Sequence, residues 1–379
     1  MASSKRGQEN QQHPTTQMAV SMTTRRPSIK RSDRIPSLDG LRAISILLVI
    51  ASHATERAPS LLGQLWRIDA GGLGVRVFFV ISGYLITTLL LQELGKYGQI
   101  NLKRFYIRRT LRIMPAFYAY LAIVSMLKWI GLEHALSADL KWSHVAHAAT
   151  YTTNYLSTSW LVGHSWSLSV EEQFYLLWPG VLALFDIRTA MKIALAILVI
   201  SPICRGFAQT LTAWPDNPRY AFESVADALA SGCLLGYMRN SQYRVNCYEK
   251  LLASRLASAW PVYVLVVSAV SVRWPLLGLS IGISALNLTI AFGVDHSLRF
   301  TDSLFARLLN TASLSFIGTL SYSLYLWQQP FFSAGLIWPT GQLLLAIIVC
   351  ALVSYFVVER AGLVLRSRLA DRMRNATVA

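Results

Sequence analysis

The stretch LDGLRAISILLVIASHA, from Leu38 to Ala54, decides the fold, because it begins polar, becomes an apolar run and ends beside a histidine. Arg42 and His53 are eleven residues apart, a spacing of about three full turns and ~16 Å along an α-helix. If the segment is helical, both side chains point to the same side, one near each end. Charged residues in such a helix usually face a bundle interior or a water-filled cavity. The alternatives are that Arg42 extends to lipid headgroups and that His53 has a structural role.

Hydrophobic residues make up 54% of the 379-residue chain and charged residues 14%, whereas a soluble globular domain is usually near a quarter charged. Apolar runs recur from Leu41 almost to the C-terminus, which predicts an all-α, polytopic membrane bundle. The net charge of +16 does not indicate a nucleic-acid partner, because the basic residues lie between the apolar runs. The four cysteines are widely separated and lack the spacing of a zinc site, so we expect no metal and no disulfide framework.

About ten transmembrane helices are predicted, with boundaries approximate to a few residues. They cover residues 41–57, 74–93, 112–131, 165–185, 190–208, 222–238, 257–273, 275–293, 310–329 and 338–358. The loops that follow the even-numbered spans are richer in Lys and Arg than the others, which places both termini in the cytoplasm. Only Arg273-Trp274-Pro275 separates the seventh and eighth spans, so one long kinked or re-entrant region is the alternative there.

This pattern divides the chain into three segments. Residues 1–37 are polar and basic and are predicted to form a disordered cytoplasmic tail. They lack the short charged start and early apolar core of a cleaved signal peptide. Residues 38–360 are predicted to form the membrane domain, and residues 361–379 a second basic cytoplasmic tail.

A second group of polar residues lies in GHSWSLSVEEQFYLLWP, residues 163–179, at the start of the fourth span. In a helix Ser167, Glu171 and Tyr175 follow one another at intervals of four residues and share one face. A carboxylate there can orient a histidine that acts as general base, or hydrogen-bond a hydroxyl substrate. The predicted topology places Glu171 at a depth similar to that of His53.

A third group lies in RFYIRRTLRIMP, residues 104–115, where Arg109 and Arg112 share a helix face at the inner end of the third span. One interpretation is simple anchoring of the helix by positive charge on the cytoplasmic side. The other is that both residues form, with Arg42, a basic cluster for a phosphorylated cytosolic ligand, since guanidinium groups suit phosphate.

Two further polar positions are candidates for contact with a substrate. Asn154 lies in the longest outer loop, at about residues 132–164, which is long enough to pack over the outer mouth of the bundle. Glu223 and Asp227 lie one turn apart at the outer start of the sixth span. They line the same cavity in one interpretation and only cap that helix in the other.

Taken together, these segments resemble the membrane-bound acyltransferase-3 family of bacterial carbohydrate O-acyltransferases. The matching motifs occur in family order between about residues 36 and 360: LDGLRA with His53, FFVISGYLIT, RFYIRRTLRIMP, SWSLSVEEQFYLLWP, ADALASGC and SYSLYLW. The spacing of the arginine and histidine in the first motif and the S-L-x-x-E-x-Q-F-Y pattern are together specific for that family.

The resemblance implies a ten-helix bundle that moves an acyl group, commonly acetyl, from cytosolic acyl-CoA to a hydroxyl of a sugar or glycosylated acceptor. Acyl-CoA is then a co-substrate, and no cofactor is bound tightly. The site residues that we expect on this basis are His53 and Glu171 for catalysis, Arg42, Arg109 and Arg112 for acyl-CoA, and Ser167, Tyr175, Asn154 and Asp227 for the substrate.

The chain departs from the family pattern at three places. Gln328 stands where many relatives have a histidine, so no second histidine acts at that position. Val225 replaces a frequent arginine two residues before Asp227, which weakens the role expected of that aspartate. Glu359 is followed by Arg360 and not by the proline that is common there.

Two functions remain open at this point. The first is an O-acyltransferase in the cell (inner) membrane, with acyl-CoA, a carbohydrate acceptor and the lipid bilayer as partners. The acceptor is open among O-antigen, exopolysaccharide, an oligosaccharide signal and a macrolide sugar. The alternative is a transporter or flippase of a lipid-linked or acylated glycan, which basic inner clusters and intramembrane charges also fit. The sequence shows no internal repeat of the kind common in transporters.

Overall fold

The computed structural model describes residues 35–366 except 56–62, 137, 209–218 and 241–244, and also residue 369. Most of the two predicted tails, 1–37 and 361–379, lies outside the described residues. Within the described part every regular element is helical and no β-strand occurs. The predicted all-α class is therefore confirmed.

The described part contains helices of very different length. In chain order they are α1 Pro36–Ala54, α2 Ala70–Tyr97, α3 Leu102–Trp129, α4 Trp142–Ala149, α5 Ser165–Leu184, α6 Ile187–Ala208, α7 Phe222–Met238, α8 Asn246–Leu252, α9 Trp260–Arg273, α10 Pro275–Arg299, α11 Leu304–Leu309, α12 Ala312–Phe331 and α13 Thr340–Arg366. Short helical turns occur at Gly63–Ile68, Leu132–Leu136, Trp160–Gly163 and Arg255–Ala259. Helices α10 and α13 each include a π-helical stretch, Gly278–Gly282 and Ser354–Glu359.

Seven segments of the described chain are long and apolar enough to cross a membrane, so the protein is a multi-pass membrane protein. They are α1, α2, α3, α6, Arg255–Arg273 (which includes α9), α10 and α13. A helix occurs at each of the ten predicted spans, but α5, α7 and α12 are not among these seven. The count of ten crossings and the cytoplasmic position of the termini stay predictions.

The boundary between the seventh and eighth predicted spans is a true helix break. Trp274 leaves the helical region with φ −120° and ψ 82°, and α10 begins at the following proline. The two helices then pack closely, because a Cβ added at Gly278 would overlap the Ser271 carbonyl oxygen. Two helices separated by a break therefore occupy this region, and whether they form two crossings or one re-entrant region stays a prediction.

The centre of the bundle contains α1, α2, α7 and α12, and small residues bring α2 and α7 together. A Cβ added at Gly83 would overlap the Leu229 carbonyl oxygen, and one at Gly232 would overlap the Val80 carbonyl oxygen. Such close approach of backbones is how helices pack in a membrane, where lipid and side chains are equally apolar. Almost every residue of α7 is buried as a result.

Helices α1 and α12 approach each other in the same way. A Cβ added at Gly318 would overlap the carbonyl oxygen of Asp39, and one at Gly40 would overlap the carbonyl oxygen of Leu309 in α11. Helix α1 carries Arg42 near its start and ends one residue after His53. These backbone contacts therefore fix the position of the helix that holds both candidate residues. We call its two ends the Arg42 end and the His53 end of the bundle.

Candidate active site

The Arg42 end carries arginines from three helices. Arg42 on α1 donates a hydrogen bond to Asp39 Oδ1 at 3.4 Å. Arg109 and Arg112 on α3 and Arg366 at the end of α13 lie within electrostatic range of Arg42 or of one another. We call these four residues the arginine cluster. The structure thus brings together the three arginines that the sequence singled out, and it adds Arg366, whose position in a basic C-terminal segment was the only signal.

The guanidinium groups of the cluster are poorly paired. Among the described residues, no carboxylate forms an ion pair with Arg109, Arg112 or Arg366. The Arg109 guanidinium lies 3.7 Å from the centre of the Tyr175 ring, which is a cation–π contact. Arg109 Nε and the Tyr175 hydroxyl are buried without a hydrogen-bond partner in the described part of the chain. Unused donors on several guanidinium groups suit a phosphate ligand.

Besides Asp39, further carboxylates border the arginine cluster, among them Glu171 and Glu359. Glu171 on α5 accepts a hydrogen bond of 2.7 Å from the Ser82 hydroxyl and lies within electrostatic range of Arg42. Glu359 on α13 accepts one of 3.0 Å from the Ser323 hydroxyl and lies within range of Arg112. Negative charges at these positions reduce the repulsion among the guanidinium groups.

At the other end of α1, His53 contacts α12. Its Nδ1 lies 2.6 Å from Gln328 Oε1, and its ring packs edge-on against Trp160 at 5.4 Å between ring centres. The amide oxygen of glutamine only accepts hydrogen bonds, so Nδ1 is the donor in this contact. Gln328 is itself held by Gln329, whose Oε1 accepts from Gln328 Nε2 at 3.1 Å. The residue that departs from the family pattern is therefore the one that orients His53.

A second histidine lies near His53, and the sequence analysis gave it no role. His164 follows the short helix Trp160–Gly163, is 4% exposed and lies within electrostatic range of His53. Neither of its ring nitrogens has a hydrogen-bond partner among the described residues. Its place directly before the Ser165-Trp166-Ser167 segment was the available signal.

The depth predicted for Glu171 is wrong. Helix α5 starts beside His164 at the His53 end, and Glu171 lies seven residues further along the chain, about 10 Å along a helix. Its hydroxyl partner Ser82 and its proximity to Arg42 place it near the arginine cluster. Gln328, and not Glu171, is the group seen against His53 Nδ1. The prediction failed because it assigned depth from the helix start without the offset along α5.

Ser167 and Tyr175 occupy different levels of the site. Ser167 Oγ lies 2.6 Å from the Tyr325 hydroxyl and 3.3 Å from the His164 carbonyl oxygen. It therefore belongs to the His53 end, whereas Tyr175 lies under Arg109 at the arginine cluster. The common face predicted for Ser167, Glu171 and Tyr175 thus follows α5 from the one end toward the other.

Asn154 is held by other residues of the protein, and its contact with substrate stays a prediction. It is fully buried, and its side-chain amide exchanges two hydrogen bonds of 3.2 and 3.0 Å with the Gln173 amide. Gln173 also donates to the Tyr151 carbonyl oxygen at 2.9 Å. These contacts fasten the loop to α5 and occupy the groups that a substrate would need.

Asp227 is also held by other residues of the protein, and its contact with substrate stays a prediction. Asp227 is fully buried, and its two carboxylate oxygens accept from Arg205 on α6 at 3.0 and 2.9 Å. The Ser284 hydroxyl of α10 donates to it at 2.6 Å. The guanidinium that the family pattern suggests at Val225 is thus supplied from another helix. A carboxylate with this many partners ties α6, α7 and α10 together.

Comparison with known proteins agrees with the motifs. The sequence profile of the acyltransferase-3 family, described as an acyltransferase domain, matches residues 35–359. The chain belongs to this family. The match covers the helices that carry the arginine cluster, His53 and His164, except for Arg366, which lies just beyond it. No solved structure is significantly similar to this acyltransferase domain.

Three curated relatives of this chain are bacterial proteins. The chain is 28% identical to the peptidoglycan O-acetyltransferase OatA of Listeria monocytogenes over 323 residues, with 78% of this chain and 49% of the relative covered. It is 32% identical over 321 residues to a putative O-acetyltransferase of Staphylococcus aureus strain COL, with 79% and 51% covered. It is 31% identical over 322 residues to the putative peptidoglycan O-acetyltransferase YrhL of Bacillus subtilis, with 78% and 48% covered. The chain spans about half the length of these relatives.

Proposed function

We propose that the protein is a membrane O-acyltransferase that moves an acyl group, acetyl in the first instance, from cytosolic acyl-CoA to a sugar hydroxyl. The observation that carries this proposal is the contact of His53 with Gln328. Gln328 Oε1 lies 2.6 Å from His53 Nδ1 and fixes the imidazole ring, whose Nε2 is the proposed base. The same helix carries Arg42, a member of the arginine cluster, about 16 Å away.

The arginine cluster is the proposed site for the phosphates of acyl-CoA. Arg109, Arg112 and Arg366 have no carboxylate ion pair among the described residues, so they can form charge-assisted hydrogen bonds with phosphate oxygens. The distance from Arg42 to His53 suits the long extended arm of the co-substrate. Glu171, held by Ser82, positions Arg42 in this scheme and does not touch the reacting atoms.

His53 is the proposed general base. Its Nε2 takes the proton of the acceptor hydroxyl while the hydroxyl oxygen attacks the thioester carbonyl carbon. The tetrahedral intermediate collapses, the carbon–sulfur bond breaks, and the proton passes from His53 to the leaving thiolate. In the alternative, His53 Nε2 attacks the thioester carbonyl carbon and the carbon–sulfur bond breaks. The acceptor hydroxyl then attacks the acyl-imidazolium, its proton passes to the thiolate, and the neutral imidazole is released.

The acceptor that we propose is a polysaccharide of the bacterial cell surface, with peptidoglycan as the first candidate, and the proposed location is the cell (inner) membrane. Support comes from two relatives, one named a peptidoglycan O-acetyltransferase and the other a putative one. Half of the length of those relatives lies outside the match, so the acceptor has to be tested directly.

The test uses purified protein in proteoliposomes with radiolabelled acetyl-CoA and soluble peptidoglycan fragments. We expect label in the glycan and release of free CoA, and His53→Ala should lower the rate by about 10²–10⁴-fold, the usual contribution of a general base. The control is His134→Ala, because the His134 side chain is 82% exposed. Unimpaired turnover by His53→Ala at matched protein level would refute the proposal. Movement of glycan between leaflets without consumption of acetyl-CoA would favour the transporter alternative.

A further inference from the structure

His164 is a buried imidazole that the proposed mechanism does not yet use. Its ring is 4% exposed and packs edge-on against the rings of Tyr120 and Tyr325, each at 5.4 Å between ring centres. Trp327 packs in turn against Tyr120 at 5.4 Å. His53 lies within electrostatic range of His164. His164 thus lies in an aromatic enclosure beside the proposed base.

The hydroxyl groups of this enclosure are already engaged. The Tyr120 hydroxyl donates to the Leu161 carbonyl oxygen. The Tyr325 hydroxyl donates to the His164 carbonyl oxygen at 2.8 Å and lies 2.6 Å from Ser167 Oγ. Neither ring nitrogen of His164 has a partner among the described residues. A neutral imidazole has one N–H donor and one acceptor, and leaving both unused in a buried site is costly. A buried polar group without a partner is expected to hydrogen-bond a bound ligand.

We propose that His164 is a catalytic residue whose ring N–H donates a hydrogen bond to the carbonyl oxygen of the acyl group while His53 acts as the base. This inference rests on the proposed function. As the acceptor oxygen attacks, the carbonyl π electrons move to the carbonyl oxygen, and the His164 N–H stabilises the charge that develops there. The electrons return when the carbon–sulfur bond breaks, and His164 neither gains nor loses a proton.

The surroundings favour a hydrogen-bond donor over a second base at this position. Burial disfavours the charged form of His164, and His53 becomes positive during the reaction, which disfavours a second positive charge beside it. A neutral imidazole that polarises a carbonyl is an established catalytic device. In this scheme His53 transfers the proton, and His164 stabilises the oxyanion.

The test compares His164→Ala, His164→Gln and His53→Ala in the proteoliposome assay with acetyl-CoA and peptidoglycan fragments. Loss of one oxyanion donor lowers kcat by about 10²–10³-fold, so we expect that loss in His164→Ala with KM for acetyl-CoA within about twofold of wild type. The amide N–H of glutamine can also donate a hydrogen bond. The kcat of His164→Gln should therefore be at least ~10-fold higher than that of His164→Ala.

A kcat near wild type in His164→Ala would overturn the inference, as would equal loss in the glutamine and alanine variants when both are as thermally stable as wild type. A second measurement needs no change at His164. Acetyl-CoA labelled at the carbonyl carbon is bound to inactive His53→Ala, and the carbonyl stretch is read by infrared difference spectroscopy. A shift to lower frequency relative to free acetyl-CoA is expected, and no shift overturns the inference. Turnover that survives His53→Ala refutes the proposed function instead, so the two failures are distinct.

Discussion

Replacing Arg205 by methionine should destabilise the protein by about 3–5 kcal/mol, the cost of breaking a buried ion pair by removing one partner. Asp227 would stay fully buried with its carboxylate facing an apolar side chain. The Ser284 hydroxyl remains as a donor at 2.6 Å, and Arg76 lies within electrostatic range of the carboxylate. We therefore expect a value in the lower half of that range.

Asp227→Asn should cost less, because the Arg205 guanidinium keeps other acceptors. These include the carbonyl oxygen of Leu279 at 2.8 Å, that of Ser224 at 2.5 Å and the Ser284 hydroxyl at 2.7 Å. The lost contact is one charge-assisted interaction, for which ~1.5–3 kcal/mol is typical. Replacing both partners by apolar residues, Arg205→Met with Asp227→Leu, should be less harmful than Arg205→Met alone, because no unpaired charge is left buried.

The assay is unfolding of detergent-solubilised protein by increasing dodecyl sulfate, followed by tryptophan fluorescence, together with KM for the peptidoglycan fragments. Arg219→Met is the matched control, because Arg219 is exposed and its loss removes the same charge without breaking the buried pair. The reasoning fails if Asp227→Asn unfolds like wild type and instead raises KM for the glycan, because Asp227 would then bind substrate.

Three other outcomes are predicted from the structure. Gln328→Met removes the acceptor from His53 Nδ1 and should lower kcat about five- to tenfold, the equivalent of a hydrogen bond of ~1 kcal/mol; an unchanged kcat contradicts the orienting role. Arg112→Gln should raise KM for acetyl-CoA more than it lowers kcat, and steady-state kinetics separate the two. Hydrogen bonds from the Thr189 hydroxyl and backbone hold the pKa of Asp186 below its usual value. That stabilisation is present at neutral pH and lost as the pH falls through the lowered pKa, so the deficit in melting temperature of Asp186→Ala should shrink below about pH 4.

The helices could be predicted from the sequence because their signal is local. An apolar run bounded by charge sufficed to place the span at 74–93, and α2 extends it to Ala70–Tyr97. The extra turns come from the ends, where Asp69 accepts a hydrogen bond from the Gly72 backbone and Gly98 adopts φ 70°. The arginine cluster could also be anticipated, since charges in apolar helices gather away from lipid.

The partners within the site could not be predicted in the same way. Asp227 pairs with an arginine 22 residues earlier on a different helix. Neither segment alone indicates which face of α6 is turned toward α7. Asn154 is occupied by Gln173 from α5, a contact set by the path of an irregular loop. The depth of Glu171 depends on how far α5 is shifted along α1. The spacing of side chains within one helix does not reveal that shift. These quantities arise from packing between helices, so they became visible only in three dimensions.

The glycine contacts between α1 and α12 have a consequence for how this protein can vary during evolution. Gly318 lies against the Asp39 backbone, and ten residues later on α12 Gln328 meets His53. Any larger side chain at Gly318 would shift one helix along the other, and a slip of one residue is ~1.5 Å, enough to lose that hydrogen bond. A saturation library read out by acyl transfer should therefore show Gly318 to be as intolerant as His53, although it touches no reacting group. During evolution, residues that face lipid can therefore be substituted freely, whereas the spacing between Gly318 and Gln328 has to be kept.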